Sequence, residues 1–400
     1  MRRISVVTVG RSDFGIYRSV LRAIEAEPDL QLRLIVSGAH LSSATGGTVK
    51  EVIESGFAVH DRVDMLLAAD TPVAVSKSMG LGVLGFAEVY QRTCPDLLLV
   101  LGDRFEMLAA VIAAVPFKIP IAHIHGGELT FGAIDDAFRH AITKCSHLHF
   151  ASTQEHAQRI IQLGEHPDRV FVSGAPSLDN LKEIRLLSKT QLEERVGMQL
   201  PKPPIVVTFH PVTLQYEQTE MQVQELISAL LSFDHPIVIT KPNADTSGQI
   251  IVGNIEQLAR QHSNVRVVDS LGTQAYFSLM SQAAAMVGNS SSGIIEAASF
   301  SLPVVNIGIR QAGRPRSVNV IDVDNDRSQI ATALNIALSD EFRRGIRRTK
   351  NIYGTGNAAE CIVRTLKDFP LGESLMLKRF CDTGQLFDTG QLRASVEVAA

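Results

Sequence analysis

The sequence predicts an α/β fold with two parallel β-sheets, one in each half of the chain. Short apolar runs, each closed by glycine or polar residues, alternate with helical patterns, which is typical of parallel strands buried on both faces. A proline-rich break at residues 201–204 separates one such series from a second. The length of 400 residues also exceeds what one ordinary core holds and favours two domains.

Each predicted strand is an apolar run, and helical patterns separate one run from the next. The first series has strands at residues 4–9, 32–36, 59–65, 97–101, 119–122, 148–151 and 170–172, with helices at 71–92 and 137–143 among those between them. Charged helix follows from 178 to 197. The second series has strands at residues 205–209, 236–240, 265–268, 284–287 and 302–306.

The domain limits follow from these two series. We expect a first domain over residues 1–185, a second over 200–355, a closing helix at 356–370 and a tail at 371–400. The tail holds Asp-Thr-Gly-Gln-Leu twice, at 382–386 and 388–392, and is interpreted as a mobile or oligomer-contacting segment.

Composition excludes several classes of protein. A net charge of −4 gives no sign of binding to nucleic acid or to a membrane surface. Four cysteines without CxxC spacing favour neither a zinc site nor a disulfide framework, so reduced thiols and a cytoplasmic location are expected. The apolar run at 4–9 is too short for a signal peptide, and no run reaches the length of a membrane span.

Carboxylates follow two neighbouring predicted strands in the first half. Asp103 comes after the strand at 97–101, and Glu128 after the strand at 119–122. Ligands of such sheets lie beyond the carboxyl ends of the strands, so both acids should face one crevice and could serve in proton transfer. Asp135 and Asp136 follow before a helix, where the alternative is that they only cap it and pair with Arg139.

The second half carries a pattern suited to a diphosphate. Gly288 to Glu296 follows a strand and opens a helix, with Ser290 and Ser291 as hydroxyl donors. The alternative is an ordinary serine cap, which leaves Gly288 and Gly293 unexplained. Glu296 could accept ribose hydroxyls or simply complement the helix dipole.

Three further groups are candidates by position. Arg11 lies in a glycine-rich turn after the first strand and could contact a phosphate or a base. His210 ends the strand at 205–209, although a lone histidine is more often structural. Arg310 and Arg314 follow another strand and suit pyrophosphate, with surface salt bridges as the alternative.

Six motifs in this order resemble the UDP-N-acetylglucosamine 2-epimerase family, in its hydrolysing branch of bacterial sialic acid and legionaminic acid synthesis. They are GDRFE at 102–106, HIHGGE at 123–128, IDDAFRHAITK at 134–144, HPVT at 210–213, GNSS at 288–291 and RQAGR at 310–314. The resemblance spans about residues 4–369. It implies the GT-B architecture, in which two Rossmann-like domains with parallel sheets face a central cleft that holds the sugar nucleotide.

The resemblance also implies roles for individual residues. Asp103, Asp135 and His210 are expected to be catalytic, and either His125 or Glu128 supplies a further acid or base, because many members have glutamate at position 125. The residues expected to contact UDP or the sugar are Arg11, Arg104, Ser290, Ser291, Glu296, Arg310 and Arg314. Neither a metal nor another cofactor is expected.

The implied reaction turns UDP-N-acetylglucosamine and water into N-acetylmannosamine and UDP, through elimination of UDP and hydration of a 2-acetamidoglucal. One alternative is UDP-N,N'-diacetylbacillosamine as the substrate, which would give 2,4-diacetamido-2,4,6-trideoxymannose for legionaminic acid. An alternative of another class is a GT-B glycosyltransferase, and a UDP-sugar sensor without catalysis is a fourth interpretation. A homo-oligomer, dimer or tetramer, is expected, with no nucleic-acid or membrane partner.

Overall fold

The computed structural model describes residues 1–42, 47–69, 71–131, 133–242, 247–269 and 271–382. Apart from Asp382, both copies of the repeated tail sequence lie outside the described residues. No helix within these ranges is long and apolar enough to cross a membrane.

The described strands form two sheets in which every neighbouring pair is parallel. The first sheet contains β1 (Arg2–Thr8), β2 (Leu30–Ser37), β3 (Val59–Val63), β4 (Leu97–Leu101), β5 (Ile121–Ile124), β6 (Leu148–Ala151) and β7 (Val170–Val172). The second contains β8 (Ile205–Thr208), β9 (Ile237–Thr240), β10 (Val265–Val268), β11 (Ala285–Gly288), β12 (Val304–Ile307) and β13 (Val320–Val323).

Helices connect the strands and cover both sheets. Those that precede β8 in the chain are α1 (Arg11–Ala26), α2 (Val49–Glu54), α3 (Pro72–Thr93), α4 (Phe105–Ala114), α5 (Asp135–Cys145), α6 (Gln154–Gln162), α7 (Asn180–Glu183) and α8 (Lys189–Val196). The others are α9 (Thr219–Leu230), α10 (Gly248–Gln261), α11 (Gly272–Gln282), α12 (Ser291–Ile295), α13 (Arg327–Leu338), α14 (Asp340–Ile346), α15 (Ala358–Asp368) and α16 (Glu373–Met376).

Strand order places the crevices. The first sheet runs β3-β2-β1-β4-β5-β6-β7, and the second runs β10-β9-β8-β11-β12-β13. In each sheet the order reverses direction beside the first strand, between β1 and β4 and between β8 and β11. Such a switch point opens a crevice at the carboxyl ends of the strands. The predicted α/β fold with two parallel sheets is confirmed.

Two features differ from the sequence expectation. Strand β13 is absent from the predicted strands, because it is a partly exposed edge strand with polar Asp322 and lacks the continuous apolar run of a central strand. The stretch 178–197 holds the short helices α7 and α8 with irregular chain between them, in place of one charged helical region. Ser188 explains the second start, since its side chain and that of Gln191 form a capping box.

The last helices return to the first half of the chain. Helix α15 packs against α1 and adds Ile362 and Leu366 to the core that contains β1. The buried carboxylate of Asp179 accepts hydrogen bonds from the backbone N–H groups of Ala358 (3.0 Å) and Ala359 (2.6 Å), which fixes the start of α15. The chain therefore crosses between the halves twice; the exact domain limits remain our proposal.

Candidate active site at the carboxyl ends of the strands

Arg139 on α5 ties together the two loops that follow β4 and β5. Its side chain is buried and forms an ion pair with Asp103. The same guanidinium donates to the carbonyl oxygen of Glu128 (2.9 Å) and to the hydroxyl of Thr130 (2.6 Å). The two acids that the sequence placed at one crevice are thus joined through a residue that was not predicted as part of the site. The hint in the sequence was an arginine one turn after two acids, interpreted there as part of a helix cap.

His125 and Glu128 form a short contact in the loop after β5. Nδ1 of His125 donates to Oε1 of Glu128 at 2.5 Å, and the glutamate is 1% exposed. His125 has a φ of +65°, in the left-handed region that is uncommon for a residue with a side chain. Within the described part of the chain, Nε2 of His125 has no hydrogen-bond partner. This ring nitrogen is buried, as is Nδ1 of His149, which also has no partner among the described residues.

The charge of Glu128 is held by its neighbours. Burial acts to raise the pKa of this carboxyl, but the charges of His125 and Arg314 outweigh it and bring the pKa well below its usual range. Nη2 of Arg314 lies 2.9 Å from Oε2 of Glu128, although the two residues belong to different halves of the chain. These two neighbours thus favour the charged form of Glu128, and its role as an acid or base beside His125 stays a prediction.

A second histidine extends this line of hydrogen bonds. The hydroxyl of Ser152 donates to Oε1 of Glu128 (2.8 Å) and accepts from Nδ1 of His156 (2.9 Å). Burial lowers the pKa of His156 to about 4, so its ring is neutral at pH 7. Sequence reasoning missed both residues, because neither belongs to a recognised motif and they reach Glu128 only through the fold.

The acidic pair that begins α5 makes two different sets of contacts. Asp135 is the first residue of α5 and is partly buried. Asp136 accepts from the N–H of Thr130 (2.6 Å) and lies 3.6 Å from Nη1 of Arg139 and 3.4 Å from Nε2 of His140. Asp136 therefore pairs with Arg139, as the alternative interpretation held, but no side chain caps α5. Asp135 keeps its catalytic prediction.

Asn289 organises the crevice of the second half. Its side chain forms two hydrogen bonds with the backbone of His210: it accepts from the N–H (2.7 Å) and donates to the carbonyl oxygen (2.8 Å). Its own carbonyl oxygen accepts from Nη1 of Arg310 (3.1 Å) and from Nε2 of Gln311 (2.9 Å). One fully buried residue thus joins three segments that the sequence had marked separately.

The two glycines around α12 have a packing purpose that the sequence did not show. Gly288 has a φ of +133°, and a Cβ there would collide with the backbone of Thr208 on β8. A Cβ on Gly293 would lie 2.9 Å from Cγ1 of Val304. Ser290 caps α12 by accepting from the N–H of Ser292 (3.3 Å). These glycines are explained without a ligand, so UDP binding by Ser290 and Ser291 stays a prediction.

The remaining predicted binding residues make contacts within the protein. Nη1 of Arg11 donates to the carbonyl of Asp269 across the two halves (3.1 Å). Glu296 accepts from the hydroxyl of Ser177 (2.5 Å), and burial raises the pKa of its carboxyl. The guanidinium of Arg104 lies against buried Glu106, with Nε 3.3 Å from Oε2. Among the described residues no group of three or more His, Cys, Asp or Glu could hold a metal ion.

Comparison with known proteins identifies the family. The sequence profile described as UDP-N-acetylglucosamine 2-epimerase matches residues 22–367. The chain belongs to this family. It is 38% identical over 378 residues to a UDP-N,N'-diacetylbacillosamine 2-epimerase (hydrolyzing) of Legionella pneumophila, covering 94% of this chain and 99% of that one. A GDP/UDP-N,N'-diacetylbacillosamine 2-epimerase (hydrolyzing) of Campylobacter jejuni is also 38% identical, with 95% and 99% covered.

Two other similarities agree with this family. Polysialic acid biosynthesis protein P7 of Escherichia coli is 35% identical, covering 96% of this chain and 98% of that one. The crystal structure of a UDP-GlcNAc 2-epimerase from Neisseria meningitidis bound to UDP-GlcNAc superimposes with a TM-score of 0.79 at 19% identity, covering 91% and 99% of the two chains. The predicted family, GT-B-like fold and enzyme class are confirmed: the epimerase is a hydrolysing UDP-sugar 2-epimerase.

Proposed function

We propose that the epimerase acts on UDP-N,N'-diacetylbacillosamine and water and releases UDP and 2,4-diacetamido-2,4,6-trideoxymannose. The observation that carries this proposal is the 38% identity, over almost the full length of each chain, to two hydrolysing epimerases named for that sugar. The comparisons therefore favour the alternative substrate of the sequence analysis over UDP-N-acetylglucosamine, its main prediction.

UDP-N-acetylglucosamine remains the second candidate. It is favoured by the polysialic acid biosynthesis protein at 35% identity and by a UDP-N-acetylglucosamine 2-epimerase of Neisseria meningitidis at 31% identity. The two sugars differ at C4 and C6, whereas the bonds that react lie at C1 and C2. The same acid–base groups serve either substrate.

The first step is an elimination. A base takes the proton from C2, the electrons of that C–H bond form the C1–C2 double bond, and the C1–O bond breaks with its electrons leaving on UDP. Asp103, His125 and Asp135 are the groups proposed for proton transfer, and His125 is the best defined of them. Its Nδ1 is fixed by Glu128, and its Nε2 has no partner among the described residues.

The second step is a hydration. Water adds its oxygen to C1 of the glycal, and a proton is delivered to C2 on the face opposite the one it left. The two faces require acid–base groups on both sides of the sugar ring. Asp103 on the loop after β4 and His125 on the loop after β5 belong to different strand ends, which makes such an arrangement possible.

The leaving UDP gains negative charge, and we assign its stabilisation to the second half. Arg310 and His210 are both held by Asn289, so this residue fixes the backbone of His210 and the guanidinium of Arg310 before the substrate arrives. Preorganised donors of this kind lower the barrier because they do not reorganise during the reaction. Ser290, Ser291 and Arg11 are proposed as further UDP contacts, and Glu296 as a ribose contact.

The experiment offers both sugar nucleotides in equal amounts and follows the sugar products by NMR. We expect the diacetylbacillosamine substrate to be consumed first, with the manno product accumulating. Preferential consumption of UDP-N-acetylglucosamine would contradict the proposed substrate and select the second candidate. Release of UDP from either substrate with the gluco configuration retained would contradict the 2-epimerase reaction itself.

A further inference from the structure

The loop after β12 docks onto the loop after β5, and one glycine makes the contact possible. Gly313 has a φ of +87°, and a Cβ there would lie 2.7 Å from Cβ of Leu129 and 2.9 Å from Cε2 of Phe131. The N–H of Phe131 also points to the carbonyl of Ala312 (3.4 Å). Any larger residue at position 313 would push the two loops apart.

Arg314 follows this glycine, and its guanidinium contacts other residues of the protein. Nη2 lies 2.9 Å from Oε2 of Glu128, and Nη1 donates to Oε1 of Gln311 (2.9 Å). The side chain is only 9% exposed. An arginine bound to a diphosphate would instead present both outer nitrogens to the ligand, as bidentate pairs do.

The contact between Arg314 and Glu128 matters because Glu128 also orients His125. The other carboxylate oxygen of Glu128, Oε1, accepts hydrogen bonds from Nδ1 of His125 and from the hydroxyl of Ser152. If the two halves separated, the carboxylate would lose its only cation from the second half within the described residues, and a buried carboxylate without a counter-charge moves or becomes solvated. The orientation of His125 would then no longer be fixed.

We propose that Gly313 and Arg314 are positioning residues: docking of the loop after β12 places the arginine on Glu128 and so fixes His125 only when the cleft is closed. This inference rests on the proposed function for the role of His125. It goes further in that it makes the orientation of His125 depend on closure of the cleft. It also replaces the UDP contact predicted for Arg314 by a contact within the protein.

The test compares Arg314→Met and Gly313→Ala with the wild type in kcat, in KM and in the calorimetric affinity for UDP. We expect kcat to fall by about 30- to 100-fold in both variants, the usual effect of a displaced catalytic group, while the affinity for UDP falls far less than kcat. A loss of UDP affinity in Arg314→Met with kcat retained would make the arginine a nucleotide ligand and overturn the proposal.

Matched controls separate the mechanism from general damage. Gly56 has a φ of +92°, and a Cβ there would meet no atom within 4 Å, so Gly56→Ala carries the same backbone strain without a collision. Arg22 forms a 3.0 Å ion pair with Glu183 on the first half, away from the strand ends. Gly56→Ala and Arg22→Met should keep wild-type kcat, and an equal loss in them would overturn the assignment.

Two further measurements keep the inference distinct from the proposed function. If Arg314 acts through Glu128, the double variant Arg314→Met with Glu128→Gln should be no slower than the worse single variant, and additive losses would contradict the coupling. Small-angle scattering with saturating UDP needs no turnover. It should show a more open particle for Gly313→Ala than for Gly56→Ala, and equally closed particles would overturn the proposal even if neither sugar nucleotide were a substrate.

Discussion

Two buried glutamates in the first half have neighbours of similar type. One lies at the carboxyl ends of the strands of the first sheet and the other at their amino ends. Each is 1% exposed and pairs with a histidine and with a cation. Glu128, in the loop after β5, contacts His125 at 2.5 Å and Arg314 at 2.9 Å.

Glu165 is the counterpart, beyond the end of α6. It lies 3.1 Å from Nε2 of His149, 2.6 Å from Nζ of Lys144 and 2.8 Å from Nζ of Lys378. Lys144 is in the last turn of α5, just before β6, so this cluster is at the amino-terminal edge of the sheet. Its effect is to fasten the segment after α16 to the first half, through a lysine that also donates to the carbonyl of Ser146.

The two clusters have similar residue types, so composition does not tell a catalytic site from a structural ion-pair cluster. Their position at the sheet and their backbone conformation do. His125 follows the carboxyl end of β5, has a positive φ and receives its counter-charge from across the cleft. His149 is fully buried within β6, in regular extended backbone. Ligands of parallel sheets bind at the carboxyl ends of the strands. We therefore propose that the cluster around Glu128 is catalytic and that the cluster around Glu165 is structural.

The largest expected effect is on activity. We expect His125→Gln to lower kcat by about 10³-fold, the usual contribution of a general acid or base, while His149→Gln keeps activity per folded molecule. The measurement is the rate of UDP release by each variant at matched concentration of folded protein. A severe loss in His149→Gln, or an active His125→Gln, would erase the proposed distinction between the two clusters.

The next effect is on stability. Glu165→Gln leaves Lys144 and the largely buried Lys378 without a counter-charge, so we expect the free energy of unfolding to fall by about 3 kcal/mol. Urea unfolding of both proteins measures the change, and kcat of the remaining folded enzyme should be that of the wild type. An unchanged unfolding midpoint would mean that the cluster does not fasten the chain.

The pH dependence of that difference has a defined sign. Burial acts to raise the pKa of Glu165, but hydrogen bonds from His149, Lys144 and Lys378 outweigh it and lower the pKa to about 2 from its ordinary 4.5. The carboxylate therefore adds stability that is fully present above pH 4.5 and is lost as the pH falls toward 2. The stability gap between wild type and Glu165→Gln should narrow over that range, and a gap that widens there would contradict the ion-pair account.

The smallest effect is expected at Lys378. Replacement by methionine removes one cation but leaves Glu165 with Lys144 and His149, so we expect a loss of about 1 to 2 kcal/mol, less than for Glu165→Gln. The same urea experiment compares the two variants. A larger loss of unfolding free energy in Lys378→Met would mean that the hydrogen bonds from Lys378 to the carbonyls of Lys144 and Ser146 contribute more than its ion pair with Glu165.

The sequence predicted the fold well because periodicity is a local property. Buried parallel strands read as continuous apolar runs, and the acids after β4 and β5 follow from where such strands end. Arg139, Ser152 and Asn289 could not be predicted as connecting residues, because their partners are brought near by the fold and not by sequence spacing. The purpose of Gly288 was likewise hidden, since it depends on the approach of Thr208 from another strand.

One measurement tests the central claim most directly: NMR of the sugar released from UDP-N,N'-diacetylbacillosamine in heavy water. Elimination and hydration must take the new hydrogen at C2 from solvent, so the account predicts the manno product with deuterium at C2 for the wild type and for His149→Gln. It predicts almost no such product for His125→Gln. UDP released with protium retained at C2 and the gluco configuration intact would contradict the reaction and the site together.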